Sequence, residues 1–445
     1  MRVNRTLSSL LALTILSSAT AIAANTKPDA PIKPKNIVFV IGDGMGPAYT
    51  TAYRYYKDDP NTDEIEPTIF DRLLVGMART SPAKVSGYVT DSAASATALS
   101  AGVKTYNGAI GVDEHKHPVT TLLEKAKATG KSIGVAVTSQ VNHATPASFL
   151  AHNESRKNYE QIAEAYLDSD ADVIIGGGQR YFSDDLIKKF EQKGYQYLNQ
   201  FEQLDAVQSG KVLGLFADVQ LPWVLDNPQG HQLSKMTDKA LSLLSQNDKG
   251  FVLVVEGSII DWAGHGNDIA TVMGEMDEFA NTLATIERFI NTHPDTLMVV
   301  TADHDTGGLT VGANDKKSWN PAILHKLNAS PQTIVSTFTA QDNWQDTLIQ
   351  KLGFKPSDEE WNTLIAAKND KDSKLTRAII DLVNIRSNTG WTSDDHTAVD
   401  VQVFAMGPAS KLFIGSQDNT EIAKKLDSLL PPSKSELMKK SVANK

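Results

Sequence analysis

Six short segments of this chain are apolar at nearly every position: Asn36–Ile41, Ser132–Val137, Asp172–Ile175, Phe251–Val255, Thr296–Thr301 and Val401–Ala405. A strand with one wet face would alternate apolar and polar residues, so continuous apolarity predicts strands buried on both faces. Helical patterns lie between them, among them Thr120–Thr129 and Glu275–Asn291. Strands alternating with helices imply an α/β fold, a three-layer sandwich in which a central, mainly parallel sheet is flanked by helices.

Residues 306–393 break this rhythm with polar, helix-rich sequence. Ser357-Asp358-Glu359-Glu360 is a capping-box pattern ahead of a helix, and a further helix is predicted over Ser373–Asn384. This stretch reads as an insertion that either covers a site or forms a subunit contact. At the other end, Met1 to Thr6 is basic, Leu7 to Leu16 is apolar apart from serines and a threonine, and Ala21-Ile22-Ala23 offers small residues for cleavage. Residues 1–23 therefore read as a signal peptide, since the apolar stretch is shorter than the roughly 20 residues needed to span a bilayer. The remainder, 24–445, is expected to form one catalytic domain, exported to the periplasm or beyond.

Charge narrows the partners. Lys and Arg number 43 against 53 Asp and Glu, a net charge of −10 that becomes −12 once Arg2 and Arg5 leave with the signal peptide. A surface this acidic argues against stable binding to nucleic acid or to an anionic membrane. The chain has no cysteine, so an exported protein here cannot use disulfides.

Candidate chemistry gathers where the apolar segments end. Three of them run directly into acids, at Asp43, at Glu256 and at Asp303-His304. Ligands of open parallel sheets bind at the carboxyl ends of the strands, so these side chains should converge on one edge. Asp261 and His265 are four apart, a spacing that lets both face one ion from a single helical turn. His396, just before the last strand, is a candidate third ligand for that pair, and His143 follows a buried strand towards the same edge. His115, His117, His231, His293 and His325 lie in polar or turn-like segments and are read as surface residues.

Four carboxylates in one place repel one another, by about 4 kcal/mol for two unit charges 4 Å apart at an effective dielectric near 20. Divalent cations would resolve the conflict. Imidazoles with carboxylates and no thiolate suit zinc, and positions supplied only with oxygen suit magnesium. Beside these ligands stands a nucleophile: Ser92 follows Asp91 and opens the small-residue run Ala93–Ala98, which ends near Gly102. That composition predicts a helix beginning at or near Ser92, whose free N–H groups and positive dipole end favour an alkoxide or a phosphate.

Together these segments resemble the bacterial alkaline phosphatase family. The resemblance rests on motifs in family order from Asn36 to Pro408: Ile41-Gly42-Asp43-Gly44-Met45-Gly46, Thr90-Asp91-Ser92-Ala93-Ala94-Ser95, Gly102-Val103-Lys104-Thr105-Tyr106-Asn107, His143-Ala144-Thr145-Pro146, Glu256-Gly257-Ser258-Ile259-Ile260-Asp261 with His265, Thr301-Ala302-Asp303-His304, and His396-Thr397.

The resemblance implies hydrolysis of small-molecule phosphate monoesters through a phosphoserine at Ser92, with Arg156 gripping the phosphate oxygens and Asp91 orienting that arginine. It implies two Zn2+ ions and one Mg2+. One zinc would sit on Asp261, His265 and His396, the other on Asp43, Asp303 and His304 with a bridge to Ser92, and magnesium on Asp43, Thr145 and Glu256. Two such ions clamp an in-line displacement and lower the pKa of bound water to about 7, so activity at high pH is expected. His143 and Trp262 stand where some members carry aspartate and lysine, and His143 is expected to reach the magnesium position through water. A homodimer is implied. A phosphodiesterase or sulfatase-like hydrolase is the rival within the superfamily, and a metal- or phosphate-binding protein without turnover is the rival outside it.

Overall fold

The computed structural model describes residues 33–227, 230–338 and 343–432. The signal-peptide segment 1–23 lies outside the described residues. Ten strands form the main sheet: β1 (Asn36–Gly42), β2 (Leu74–Arg79), β3 (Ser132–Gln140), β4 (Val173–Gly177), β5 (Tyr195–Leu198), β6 (Lys211–Leu215), β7 (Phe251–Gly257), β8 (Thr296–Ala302), β9 (Val401–Met406) and β10 (Gly415–Asp418). Their order is β10-β2-β9-β8-β1-β7-β3-β4-β6-β5, and every pairing is parallel except those of β9. All six apolar segments became strands of this sheet. Four strands had no such signature. Two of them, β5 and β10, are the edges, where one flank needs no apolar neighbour, and β2 beside β10 is largely part-exposed.

Burial explains the pattern. Every residue of β1, β7 and β8 is buried, because helices cover both faces of the sheet. On one side Ile269–Thr292 packs with Gln232–Leu244 and Pro47–Lys57. A second group, Ser92–Ala101, Leu122–Ala128, Ala144–Leu150 and Asn419–Leu429, packs together around the nucleophile candidate. Truncating a fully buried side chain such as Phe39, which meets Phe149 edge-on at 6.0 Å, should cost about 3–5 kcal/mol.

Helix boundaries follow caps that periodicity alone does not reveal. The helix expected from Glu275 starts at Ile269, because Asp268 accepts hydrogen bonds from the N–H and hydroxyl of Thr271. Thr121 and Glu124 cap Leu122–Ala128 reciprocally, and Ser357 with Glu360 caps Asp358–Asp370 in the same way. The second predicted helix of the insertion extends over Asp372–Ser387 and stops at Asn388 in the left-handed region.

Register delivers the site. Ile41 pairs with both Glu256 and Thr301, and Gly42 with both Gly257 and Ala302, so the three central strands end level. Asp43, Glu256 and Asp303 therefore leave the sheet at one edge. The chain between residues 306 and 396 returns to its starting point, where Asp305–Thr306 pairs antiparallel with His396–Thr397.

Candidate active site

Ser92 is the first residue of the helix Ser92–Ala101, and Asp91 is its N-cap, accepting from the N–H of Ala94 at 2.9 Å. From Ser92 to Ser100 every residue of this helix is buried, which its small side chains allow by letting neighbours approach. Its inward polar groups are satisfied: Ser95 donates to the carbonyl of Asp303 at 2.7 Å and Thr97 to that of Ala109 at 3.0 Å. The Ser92 hydroxyl lies 3.2 Å from Nε2 of His304.

Asp43, Glu256 and Asp303 are fully buried around this serine. Among the described residues, both oxygens of Asp43, both of Glu256, Oδ2 of Asp303 and the hydroxyl of Thr145 have no hydrogen-bond partner. Burial, reinforced by Asp303, Asp261 and Glu256, raises Asp43 well above the ordinary carboxylate range, and burial pushes Glu256 up to about 8. Leaving such groups unpaired is costly. Asp303 is aimed by its backbone surroundings: the N–H groups of Gly44 and His304 hold its Oδ1 at 3.1 and 3.0 Å, so Oδ2 faces the site. Gly44 adopts φ +70, and a Cβ there would fall 2.7 Å from the Thr306 hydroxyl and 2.8 Å from Oδ1 of Asp261.

The histidines are held as metal ligands are. His265 donates from Nδ1 to the carbonyl of Asp394 at 2.6 Å, and His396 from Nδ1 to the carbonyl of Thr90 at 2.8 Å. Carbonyls only accept, so these bonds place a proton on Nδ1 and aim Nε2 inward. The two Nε2 atoms are 3.2 Å apart, and they lie 3.4 Å (His265) and 3.7 Å (His396) from the oxygens of Asp261. Nε2 of His304 is 3.2 Å from Oδ2 of Asp303 and 3.5 Å from Oδ1 of Asp43. Against the cost of burial, His265, His304 and His396 hold Asp261 below the usual carboxylate range. Its hydrogen bond with Asp261 in turn raises His265 to about 9. Nε2 atoms converging with carboxylate oxygens in this way fit divalent cations, which would take the place of the ring protons.

Ligand atoms cluster in four overlapping groups: Asp43, Asp303 and His304; Asp261, His304 and His396; Asp43, His143 and Glu256; and His265, Asp395 and His396. Two residues beside these ligands were not anticipated. Asp395 stands at the exposed rim, and Thr306, outside the groups, donates to Oδ1 of Asp261 at 2.5 Å and so sets its orientation. Neither carries a signal in sequence, because both act across the ribbon that closes the insertion.

Arg156 reaches in from the other side. Its Nη1 donates to Oδ2 of Asp91 at 3.0 Å and its Nη2 to Nε2 of His143 at 3.1 Å, and each nitrogen keeps a second N–H. His143 therefore accepts at Nε2 and carries its proton on Nδ1, which has no partner among the described residues. Burial and the adjacent Arg156 hold His143 down to about 3, so the ring is neutral. Trp262 meets it edge-on at 5.7 Å. Ser92, His143, Arg156, Asp261, Trp262, His265 and His396 line a cavity of about 330 Å³.

The remaining histidines divide. His115, His117 and His325 are exposed, as expected. His231 and His293 are not simple surface residues: His231 donates to the buried Glu278 at 3.1 Å, and His293 stacks on Phe289 at 4.0 Å.

The family model "Alkaline phosphatase" matches residues 34–431. Alkaline phosphatase 4 of Bacillus subtilis is 42% identical over 414 residues, covering 90% of this chain and 89% of that protein. Among solved structures, a cold-active alkaline phosphatase from a psychrophilic Shewanella is similar at 59% identity with a TM-score of 0.88, covering 89% of this chain and 100% of that one. A histidine-to-aspartate variant of the TAB5 alkaline phosphatase, with Mg bound in its M3 site, is similar at 29% identity with a TM-score of 0.68, covering 90% and 99%.

Proposed function

The chain belongs to the alkaline phosphatase family and is a metal-binding hydrolase of phosphate monoesters, and we propose that Ser92 is its nucleophile. The observation that carries this assignment is the position of the Ser92 hydroxyl at a helix start, 3.2 Å from Nε2 of His304, which itself lies beside the carboxylates of Asp43 and Asp303. Asp261, His265 and His396 would hold one zinc; Asp43, Asp303 and His304 would hold the second beside Ser92; Asp43, Thr145 and Glu256 would hold magnesium. When bound, such ions supply positive charge that stabilises developing oxyanions and activates an attacking oxygen at neutral pH.

In the first displacement, the Ser92 hydroxyl gives up its proton to solvent and its oxygen bonds to phosphorus as the bond to the ester oxygen breaks, and the departing alkoxide takes a proton from solvent to leave as the alcohol. Arg156 aligns the phosphoryl group, because its two spare N–H bonds point from a guanidinium fixed by Asp91 and His143. In the second, water attacks the phosphoserine, releasing inorganic phosphate and restoring the hydroxyl. A monoester offers the fork a phosphoryl group with up to two negative charges and a further free oxygen, whereas a diester carries a single charge, so a charged fork favours the monoester.

His143 would act on the magnesium position through a water. Its Nε2 is engaged by Arg156, so its Nδ1–H can donate to a water but not bind a cation. A TAB5 variant with aspartate in place of a histidine is described with magnesium, in keeping with carboxylate oxygen as the better partner for that ion. Cleavage of a signal peptide, a periplasmic or secreted location and a homodimer belong to the same reading. In the described residues no helix is long and apolar enough to cross a membrane.

The deciding experiment compares hydrolysis of p-nitrophenyl phosphate and its bis-ester before and after chelation, with zinc and magnesium measured on the same sample. Monoester turnover lost with the metals and regained with zinc and magnesium is expected. Persistent activity in metal-free protein would refute the assignment.

A further inference from the structure

The loop that carries Arg156 is tied down by a histidine outside the site described above. His152, part-buried, bonds from Nδ1 to the carbonyl of Gly111 at 2.6 Å and from Nε2 to the carboxylate of Glu124 at 2.9 Å. Both partners are acceptors only. Making both bonds at once requires a proton on each nitrogen, so the ring is an imidazolium.

That ring joins three segments: the turn at Gly111, the start of the helix Leu122–Ala128 and the loop leading to Arg156. Around it the backbone is closely knit. Ile110 and Asn153 exchange hydrogen bonds at 2.9 and 2.8 Å, and the N–H of Arg156 donates to the carbonyl of Gly108 at 2.8 Å. A Cβ on Gly111, at φ +57, would fall 2.3 Å from the carbonyl of Ala151. On the far side of the turn, Thr97 of the Ser92 helix accepts from the N–H of Gly111 and donates to the carbonyl of Ala109, both at 3.0 Å. The nucleophile's helix and the phosphate-gripping arginine thus share one support, with His152 as its ionic clasp.

Other charges near the clasp are engaged elsewhere. Glu154 pairs with Lys116 at 2.7 Å, Arg156 with Asp91, Lys125 with Asp427, and Lys127 with Asp172 at 3.1 Å. Asp113 in the neighbouring turn accepts from the N–H groups of His115 and His117. Glu124 is left as the counter-ion of His152. Its hydrogen bond raises the imidazole above its ordinary value, and, against partial burial, the same bond lowers Glu124 below its own.

We propose that His152 is a positioning residue for Arg156: clasped between Gly111 and Glu124, it fixes the arginine's loop against the Ser92 helix, and losing one of its two ring protons as pH rises loosens the grip on phosphate. The proposal rests on the reading of Arg156 as the phosphate-binding group. The sign follows from the direction of the shift. Below the raised folded-state pKa both bonds stand; as pH rises through it, one nitrogen loses its proton and turns a lone pair towards an acceptor. Product would then leave more readily as pH rises, and product release limits turnover in many well-evolved enzymes.

The test measures inhibition of p-nitrophenyl phosphate hydrolysis by inorganic phosphate across a pH series, with metal content determined for each protein. In His152→Asn the phosphate inhibition constant and KM should rise roughly tenfold, the scale of one charged hydrogen bond, with a smaller change in kcat. In Glu124→Gln, which keeps the helix cap, the rise of that constant with pH should move to lower pH. The double variant His152→Asn with Arg156→Ala should match Arg156→Ala alone, because a residue acting through Arg156 has nothing left to position. A wild-type inhibition constant in His152→Asn, an unmoved profile in Glu124→Gln, or additive losses in the double variant would each overturn the proposal. Should His152→Asn fail to fold, the Glu124→Gln profile decides. An unchanged constant in Arg156→Ala alone would remove the phosphate role of Arg156 itself, a separate failure that is read directly from that variant.

Discussion

His396 lies face to face with His304, their ring centroids 3.6 Å apart and their planes 20° from parallel, although the whole insertion separates them in sequence. The contact exists because Thr306 pairs with His396 in the short ribbon that closes the insertion. The group of Asp261, His304 and His396 contains both rings and shares one with Asp43 and Asp303 and the other with His265 and Asp395, so these groups are fixed relative to one another by the backbone hydrogen bonds of the ribbon.

Replacing Ser92 by alanine should lower monoester turnover by roughly a thousandfold or more, since the proposed mechanism has no other nucleophile for the first displacement. Zinc and magnesium content should stay near that of the parent. Steady-state kinetics on metal-loaded protein checks this, and near-normal turnover would end the covalent mechanism. Labelled phosphate trapped on Ser92 at acid pH is the positive counterpart.

Chelation should lower the melting temperature, and the loss should grow with pH. Glu256 is pushed up to about 8 and Asp43 is also raised, both above their unfolded values. In metal-free protein their contribution is therefore fully present below the unfolded carboxylate range and is lost as pH rises through the folded values. Ions bound only to the folded state restore it, by about 2.7 kcal/mol at a free concentration one hundred times Kd. Calorimetry of metal-free and metal-loaded protein between about pH 5 and about pH 9 should show a widening gap; a gap independent of pH would count against this electrostatic account.

Arg156→Ala should raise the inhibition constant for phosphate by about 10- to 100-fold, the range expected for losing charge-assisted bonds. KM should rise alongside it more than kcat falls, since product and substrate share the phosphoryl group. Inhibition assays report both, and an unchanged constant would place Arg156 outside the site.

Thr306→Val keeps the shape of the side chain and removes its 2.5 Å hydrogen bond to Asp261. Losing an outer partner of a ligating carboxylate typically costs 10–100-fold in metal affinity, so zinc should be released more readily. Competition with a chromophoric chelator measures this without reference to activity. Parent-like zinc affinity would show that Thr306 plays only a packing role.

Exchanging His143 for aspartate puts carboxylate oxygen beside Asp43 and Glu256 and should strengthen magnesium binding while changing phosphate inhibition. Titration of metal-free protein with magnesium, followed by phosphate inhibition, reads both effects. If neither moves, His143 takes no part in the site.

Much of this arrangement was written in local sequence. Runs such as Val38–Ile41 and Val252–Val255 are short, rich in β-branched residues and apolar throughout, the pattern of strands buried on both faces, and that pattern places the acids that follow them at one sheet edge. Asp91 before a run of small residues likewise marks a helix start, because capping and propensity act over a few neighbouring positions. What tertiary structure alone decided are the bonds between segments distant in the chain. The Thr306 hydroxyl on Asp261, the carbonyls of Thr90 and Asp394 that orient His396 and His265, and the joint hold of Asp91 and His143 on Arg156 are all of this kind. So are the two acceptors that keep His152 charged. A hydrogen bond between a side chain and a remote backbone or side-chain group leaves no period and no preferred spacing. It depends on where the folded sheet and the returning insertion bring two atoms within about 3 Å of each other.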